Sequence, residues 1–367
     1  MSITIVHIIT TIDLGGAEKQ VLALATKQKE MGNDVTIIFL KDNPKLLKNF
    51  LLAGVKIEVK FSENNFFRQI LLLRRGQISG KTIYHAHLPR AELLCAFALR
   101  PKSFVVTRHN SEPFFPDAPS LISRILSRFV LKRAFASISI SNAVTHFLQF
   151  SKEMNGYSIN EVIYYGLGDT IVRHKNKFIP ESKVHEIGIV ARLVPQKNLP
   201  LLIDSVAILN KTMPAKFHLK ILGEGPLKEE LETLIIHLGV EELVDFQAKT
   251  KDVKTFYKSL NLFVLTSKYE GFGLVLLEAM SAGVPVVARD TSSIPEVLGE
   301  NHPGLFKSDD PTELASKIWS ILSDRKTFDQ CLKYQSEQLK NFTIDKSEAA
   351  HKKLYTRLLK QMEASAK

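Results

Sequence analysis

Cysteine is scarce in this sequence. The two that occur in 367 residues, Cys95 and Cys331, lie far apart in apolar, helix-like runs. They fit neither the spacing of a zinc site nor a disulfide framework, and they read as buried thiols. Long hydrophobic runs are missing as well. No window approaches the roughly 18 uncharged apolar residues that a membrane span needs. The opening MSITIVHIIT has no basic segment leading into a cleavable apolar stretch and reads as a first strand. The expectation is a cytoplasmic chain without a spanning segment. Low-complexity tracts, the G-x-G-x-x-G fingerprint of dinucleotide sites and any Asp-x-Asp pair are also absent.

What is present is ordinary globular composition, with 45% apolar and 24% charged residues. Domains of about 100–200 residues make two the default. The net charge of +11 is unevenly spread. Residues 1–170 hold 21 basic and 13 acidic side chains, a balance of +8, which leaves +3 for the rest. A basic first half suggests an anionic partner.

Short apolar runs alternate with longer amphipathic ones. Strand-like segments fall at Ile3–Ile9, Asp34–Leu40, Val55–Val59, Thr82–His85, Phe104–Thr107, Ala136–Ile140 and Glu161–Tyr164, with helical patterns such as Ala17–Met31 between most of them. The polar, basic stretch from Gly168 to Val184, with Pro180, reads as a linker. A second series follows at His185–Ala191, Phe217–Leu222, Leu243–Phe246, Leu262–Leu265, Pro285–Ala288 and near Leu305. This alternation predicts an α/β protein with two doubly wound, Rossmann-like domains facing a central cleft. The expected division is 1–170, 171–345 and a C-terminal amphipathic helix over 346–367 that packs back on the first domain. Ligands of such sheets bind outside the carboxyl ends of the strands, so the loops after strands matter most.

After the first strand, Gly15-Gly16 opens a helix whose N–H groups face an approaching anion; the alternative is a plain tight turn. After His185–Ala191 come Arg192 and Lys197, two cations on a loop stiffened by Pro195, suited to one diphosphate or simply exposed. Gly223-Glu224-Gly225-Pro226 is a further close-approach turn. The most informative stretch follows Leu262–Leu265: Glu270-Gly271-Phe272-Gly273-Leu274-Val275, then Glu278 among Leu276, Leu277, Ala279 and Met280. A carboxylate in such an apolar run is costly unless hydrogen-bonded, and two ribose hydroxyls would satisfy it. Glu270, before the helix, is within reach of sugar hydroxyls.

Taken in order, Gly15-Gly16-Ala17-Glu18, His85-Ala86-His87, Arg108-His109-Asn110, Arg192 with Lys197, Gly223-Glu224-Gly225-Pro226 and Glu270-Gly271-Phe272-Gly273 with Glu278 resemble the retaining glycosyltransferases of GT-B fold in glycosyltransferase family 4 (group 1), over nearly the whole chain. The resemblance implies an acceptor-binding first domain and a donor-binding second one. It implies that Glu278 binds the ribose of a nucleoside-diphosphate sugar and Glu270 the sugar hydroxyls. Arg192 and Lys197 would neutralise the diphosphate. Gly273, Leu274 and Gly16 would offer backbone contacts, with Gly15, Gly223, Gly271, Phe272 and Val275 shaping the same turns. His109 would lie beside the donor sugar, and the base would meet Phe246-Gln247-Ala248. Two positions depart from the family's habit: Ala248 stands where Gly is frequent, and Tyr165 where Asn is frequent before Gly166.

The implied reaction moves a hexose or N-acetylhexosamine, UDP-linked, to an acceptor hydroxyl with retention, in cell-surface polysaccharide or lipopolysaccharide synthesis. The departing diphosphate needs cations and N–H donors in place beforehand. With no Asp-x-Asp present, neutralisation without a metal or cofactor is expected. No nucleophile is evident, which favours front-face transfer with the leaving phosphate accepting the acceptor's proton. His85 and His87 read more as structural residues. Two basic amphipathic runs, near 66–75 and 121–133, suggest docking on the anionic inner membrane face toward a glycan or lipid-linked acceptor; the alternative is core helices with solvated faces. Rival readings are an epimerase or hydrolase of the same fold and a non-catalytic nucleotide-sugar scaffold. Nucleic-acid binding has no motif behind it.

Overall fold

The computed structural model describes residues 2–42, 44–77, 81–154, 159–168, 178–179, 184–247 and 253–365. Most of the expected linker over 168–184, and Ala248, lie outside the described residues. The chain divides into two units, one of Met1–Gly168 with Phe342–Lys367 and one of Asp169–Asn341.

Among the described residues the first unit holds seven strands: β1 (Thr4–Ile9), β2 (Asp34–Phe39), β3 (Lys56–Glu58), β4 (Thr82–His87), β5 (Phe104–Arg108), β6 (Ala136–Ser139) and β7 (Ile159–Val162). They form one sheet in the order β3-β2-β1-β4-β5-β6-β7, all parallel. Because helices cover both faces of such a sheet, its central strands are buried nearly throughout. Ile8, Ala86, Phe104 and Val106 pack on one face with the helices Pro89–Ala98 and Ser120–Arg133. Ile5, Ile83 and Val105 pack on the other with Leu354, Tyr355 and Leu358. Those last three lie on the long helix Ile344–Ser365, which also contacts the helix Gly16–Glu30.

The second unit holds β8 (Val184–Val190), β9 (Lys216–Leu222), β10 (Val244–Gln247), β11 (Leu262–Leu265), β12 (Val286–Arg289) and β13 (Leu305–Phe306). Their order is β10-β9-β8-β11-β12-β13, again all parallel. Both sheets therefore grow outward from their first strand and reverse direction once, beside β1 and β4 in one and β8 and β11 in the other. That reversal separates the loops leaving the two central strands and opens a crevice at their carboxyl ends. Local chemistry agrees with these boundaries. Asn65, Ser141, Asp310 and Asp324 cap helix N-termini through their side chains, each supplying an acceptor for an otherwise unpaired N–H. The strands differ from the sequence expectation by one to two residues at most ends.

Among the described residues no helix is long and apolar enough to cross a membrane.

Candidate functional site

In the second unit, the loops after β8 and β11 leave neighbouring strands at the point where the sheet reverses. They are tied together directly. The Lys268 N–H donates to the Gln196 carbonyl at 2.8 Å, Gln196 Nε2 donates to the Tyr269 carbonyl at 2.8 Å, and Thr266 Oγ1 donates to the Lys197 carbonyl at 2.8 Å. Lys197 and Glu270, 73 residues apart, consequently meet with Nζ 2.5 Å from Oε1. The Ser267 hydroxyl donates to the same oxygen at 2.7 Å. Glu270's own carbonyl accepts from Ser292 at 2.7 Å and Ser293 at 3.1 Å, which anchors its backbone. Held by an ammonium and a hydroxyl, this carboxylate oxygen acts as a hydrogen-bond acceptor. Arg192, on the same β8 loop, is exposed.

The helix Leu274–Ser281 starts at Gly273, whose φ of 88° and ψ of 53° are left-handed, a conformation open to glycine without strain. No side chain caps this start and no acid occupies its first turn. Its first N–H groups, with the positive end of the helix dipole behind them, suit an anion. The corresponding turn of the first unit is less so disposed. There Gly15 precedes the helix Gly16–Glu30, but Glu18 sits in the first turn, its carboxylate against Gly15 and accepting from Thr11 Oγ1 at 2.7 Å. That turn allows close backbone approach while already holding a negative charge.

Glu278 lies on the helix Leu274–Ser281 and is half-buried. Tyr257, from the helix Val253–Lys258, donates its hydroxyl to Glu278 Oε2 at 2.9 Å. Burial, then the Glu278 charge and the hydrogen bond to it, hold the Tyr257 hydroxyl well above its ordinary pKa, so it remains a donor. The sequence reading missed Tyr257; its one signal is a tyrosine in an amphipathic turn before β11. Gly223 and Phe246 stand at the carboxyl ends of the paired strands β9 and β10, where the Gly223 N–H reaches the Gln247 carbonyl at 3.4 Å. Gly225 packs directly on the Leu193 backbone. Phe272 is buried, and Val275 is half-buried.

His109 follows β5 in the first unit. Its Nε2 lies 3.0 Å from His87 Nδ1, and its Nδ1 is hydrogen-bonded to the Tyr165 hydroxyl. His85 and His87, alternate residues of β4, are buried on one face with His7 of β1. His7, His85 and His87 bring ring nitrogens within 4.8 Å of one another, a spacing a metal ion could bridge. Both nitrogens of His85 are, however, already engaged, with Tyr355 Oη and Thr107 Oγ1 at 2.6 Å each. The cluster is therefore organised as hydrogen bonds. Burial is the main cause that lowers its pKa values, to about 4 for His7 and about 3 for His109.

Comparison with known proteins agrees with this layout. The family model "Glycosyl transferases group 1" matches residues 172–338, and "Glycosyltransferase Family 4" matches residues 14–152. The chain belongs to the group 1 glycosyltransferases of GT-B fold. It is 25% identical to the lipopolysaccharide core biosynthesis mannosyltransferase LpsB of Rhizobium meliloti, over 93% of this chain and 98% of that one. It is 24% identical to a Campylobacter jejuni α-1,4-N-acetyl-D-galactosaminyltransferase named for a glycan linked to diphospho-undecaprenol, over 92% and 94%. The crystal structure of Anabaena HepE in complex with UDP and glucose superposes with a TM-score of 0.80 at 20% identity, over 97% of this chain and all (100%) of that one. Sucrose-phosphate synthase from Thermosynechococcus elongatus gives 0.79 at 16% identity, over 98% and 100%.

Proposed function

We propose that this glycosyltransferase moves a hexose or N-acetylhexosamine from UDP to an acceptor hydroxyl, with retention and without a metal, in the synthesis of a cell-surface polysaccharide or lipopolysaccharide. One observation carries the donor assignment. At the reversal point of the second sheet, the Lys197–Glu270 pair, the uncapped helix start at Gly273 and the Tyr257-held Glu278 lie on loops and helices that contact one another. Lys197 keeps further N–H donors for a diphosphate while one points at Glu270. Glu278, about 6 Å along the helix axis from its start, is placed for a ribose diol. Glu270, pinned by Lys197 and Ser267, suits sugar hydroxyls better than nucleophilic attack, which supports front-face transfer. The UDP in the HepE complexes and the lipopolysaccharide role of LpsB support the choice of base and product class.

The test is thermal stabilisation by UDP, GDP, ADP and CMP, for the parent and Glu278→Ala. A ligand at about 100 times its dissociation constant stabilises by roughly 2.7 kcal/mol. UDP should raise the midpoint by several degrees and Glu278→Ala should abolish the rise. If no diphosphate shifts the midpoint, the donor site is wrong. Anomeric configuration of the product, read by NMR, tests retention.

The first unit's exposed apolar side chains support membrane docking. Phe67 on the helix Phe66–Arg75 is 79% exposed, and Leu121 and Ile125 on the helix Ser120–Arg133 are 62% and 56% exposed. Basic residues interleave with them. Arg124 and Arg128 also donate through Nε to the carbonyls of Ser151 and Lys152, so part of their role is structural. The parent should bind anionic liposomes and Arg124, Arg128, Lys132 and Arg133→Glu should not; a parent that ignores such liposomes overturns the docking proposal.

A further inference from the structure

Four hydrogen bonds run in single file through the first unit. Gln28 Oε1 meets His7 Nε2 at 2.7 Å. His7 Nδ1 meets His87 Nε2 at 2.9 Å, and His87 Nδ1 meets His109 Nε2 at 3.0 Å. His109 Nδ1 meets the Tyr165 hydroxyl. An amide oxygen can only accept, and a neutral imidazole carries one N–H. His7 therefore donates through Nε2 and must accept at Nδ1. The same rule passes along the file: His87 donates through Nε2 and accepts at Nδ1, and so does His109. The last bond is then a donation from Tyr165.

The premise of neutral rings rests on burial, which pulls His7 and His109 far below 6.5 and His87 well below it. The other titratable groups around the file are themselves engaged. His85 bonds Tyr355 and Thr107, His351 Nδ1 meets the Ser347 carbonyl at 2.8 Å, and Glu18 accepts from Thr11. Burial, and then the Glu18 charge, hold the Tyr165 phenol protonated.

We infer that Tyr165 is a positioning residue for His109: its hydroxyl closes a one-way file anchored at Gln28 Oε1, which locks His7, His87 and His109 as Nε2–H tautomers. His109 then has neither a proton to give nor a lone pair to offer. It contributes to transfer as a fixed ring and not as an acid or base, a consequence that rests on the transferase reading above. The tautomer lock itself does not. A phenol at position 165 donates where the ring needs a donor.

The test is the long-range proton–nitrogen correlation spectrum of ring-15N histidine in the full-length, ligand-free protein, with His109 assigned by His109→Gln. All three rings should be Nε2–H tautomers; Tyr165→Phe should leave His109 as Nε2–H, because its donation to His87 persists, but should shift its Nδ1 resonance as the phenol's donation is lost. Nδ1–H tautomers in the parent, or a His109 unmoved in a folded Tyr165→Phe, overturn the inference. Should Tyr165→Phe not fold, His7→Phe breaks the file at its other end, and His87 and His109 should then mix; fixed Nε2–H rings there overturn it equally. In steady-state transfer, Tyr165→Phe should lower kcat roughly 10- to 100-fold with little change in the donor KM. It should also add an acid limb to the pH profile as His109 Nδ1 becomes able to take a proton. Unchanged kcat and pH profile would overturn the positioning role while leaving glycosyl transfer itself demonstrated.

Discussion

Lys197 Nζ and Glu270 Oε1 lie 2.5 Å apart, with 12% and 10% of the two side chains exposed. The cation assigned to a diphosphate and the carboxylate assigned to a sugar are thus one unit in the ligand-free protein. Each holds the other at the place where the donor's two charged and polar portions would join.

Removing either partner should therefore cost more than its own contact. Lys197→Ala leaves a mostly buried carboxylate without its ammonium and a diphosphate with Arg192 alone as its counter-charge. We expect kcat to fall by about 10²–10³, the scale of losing one preorganised stabilising group. Steady-state kinetics of the parent, Lys197→Ala, Glu270→Gln and the double variant check this. Strictly additive effects would show that the two act separately.

Tyr257→Phe removes one hydroxyl and leaves the ring packed against Phe263. Without it, Glu278 loses a donor that orients its carboxylate. UDP affinity should weaken by roughly 5- to 10-fold, the worth of one typical intramolecular hydrogen bond. The effect should vanish for 2′,3′-dideoxy-UDP, which calorimetric titration would read. An equal loss for both nucleotides would place the defect elsewhere.

Gly225→Ala tests how the β8 loop is held. A Cβ there would lie 2.6 Å from the Leu193 nitrogen, which belongs to backbone and cannot swing aside. The loop carrying Arg192 and Lys197 must then move. We expect about 1–3 kcal/mol of destabilisation together with weaker UDP binding. Scanning calorimetry with and without UDP separates the two, and an unchanged UDP-dependent shift would argue that the loop has not moved.

Acid should destabilise the first unit early. Burial holds His7 and His351 at about 4 and His109 at about 3, with His85 and His87 well below 6.5. The unfolded chain binds protons at these rings near 6.5 while the folded one does not. Stability therefore rises with pH through this window: it is fully present above about 6.5 and lost as pH falls toward 4. Glu92 acts oppositely, because burial raises it from 4.5 to about 7 and the fold then binds its proton more tightly. Burial raises Glu348 as well, and two carboxyls against five imidazoles leave the histidines dominant. The urea midpoint should drop steadily from pH 7 to 5; a flat midpoint there would contradict the neutral, buried cluster.

Sequence alone determined the architecture, because it is written in local periods. Alternating apolar runs and amphipathic stretches give strand–helix repeats, and glycines mark the turns that follow β1, β9 and β11. It also determined the donor-site candidates, since Glu270, Gly273 and Glu278 lie within one turn and helix and carry their own context. Tertiary structure decided what those residues touch. Lys197 reaches Glu270 because β8 and β11 are neighbours, a pairing no local pattern states. Tyr257 reaches Glu278 because two helices around β11 pack together. The file from Gln28 to Tyr165 draws on the helix Gly16–Glu30, on β1 and β4, and on the segments after β5 and β7. Strand order aligns these segments, whereas sequence spacing does not. The helix Ile344–Ser365 likewise joins the first unit through Leu354, Tyr355 and Leu358. Its amphipathic pattern announces a buried face, but which surface that face covers is settled only when the sheet is built.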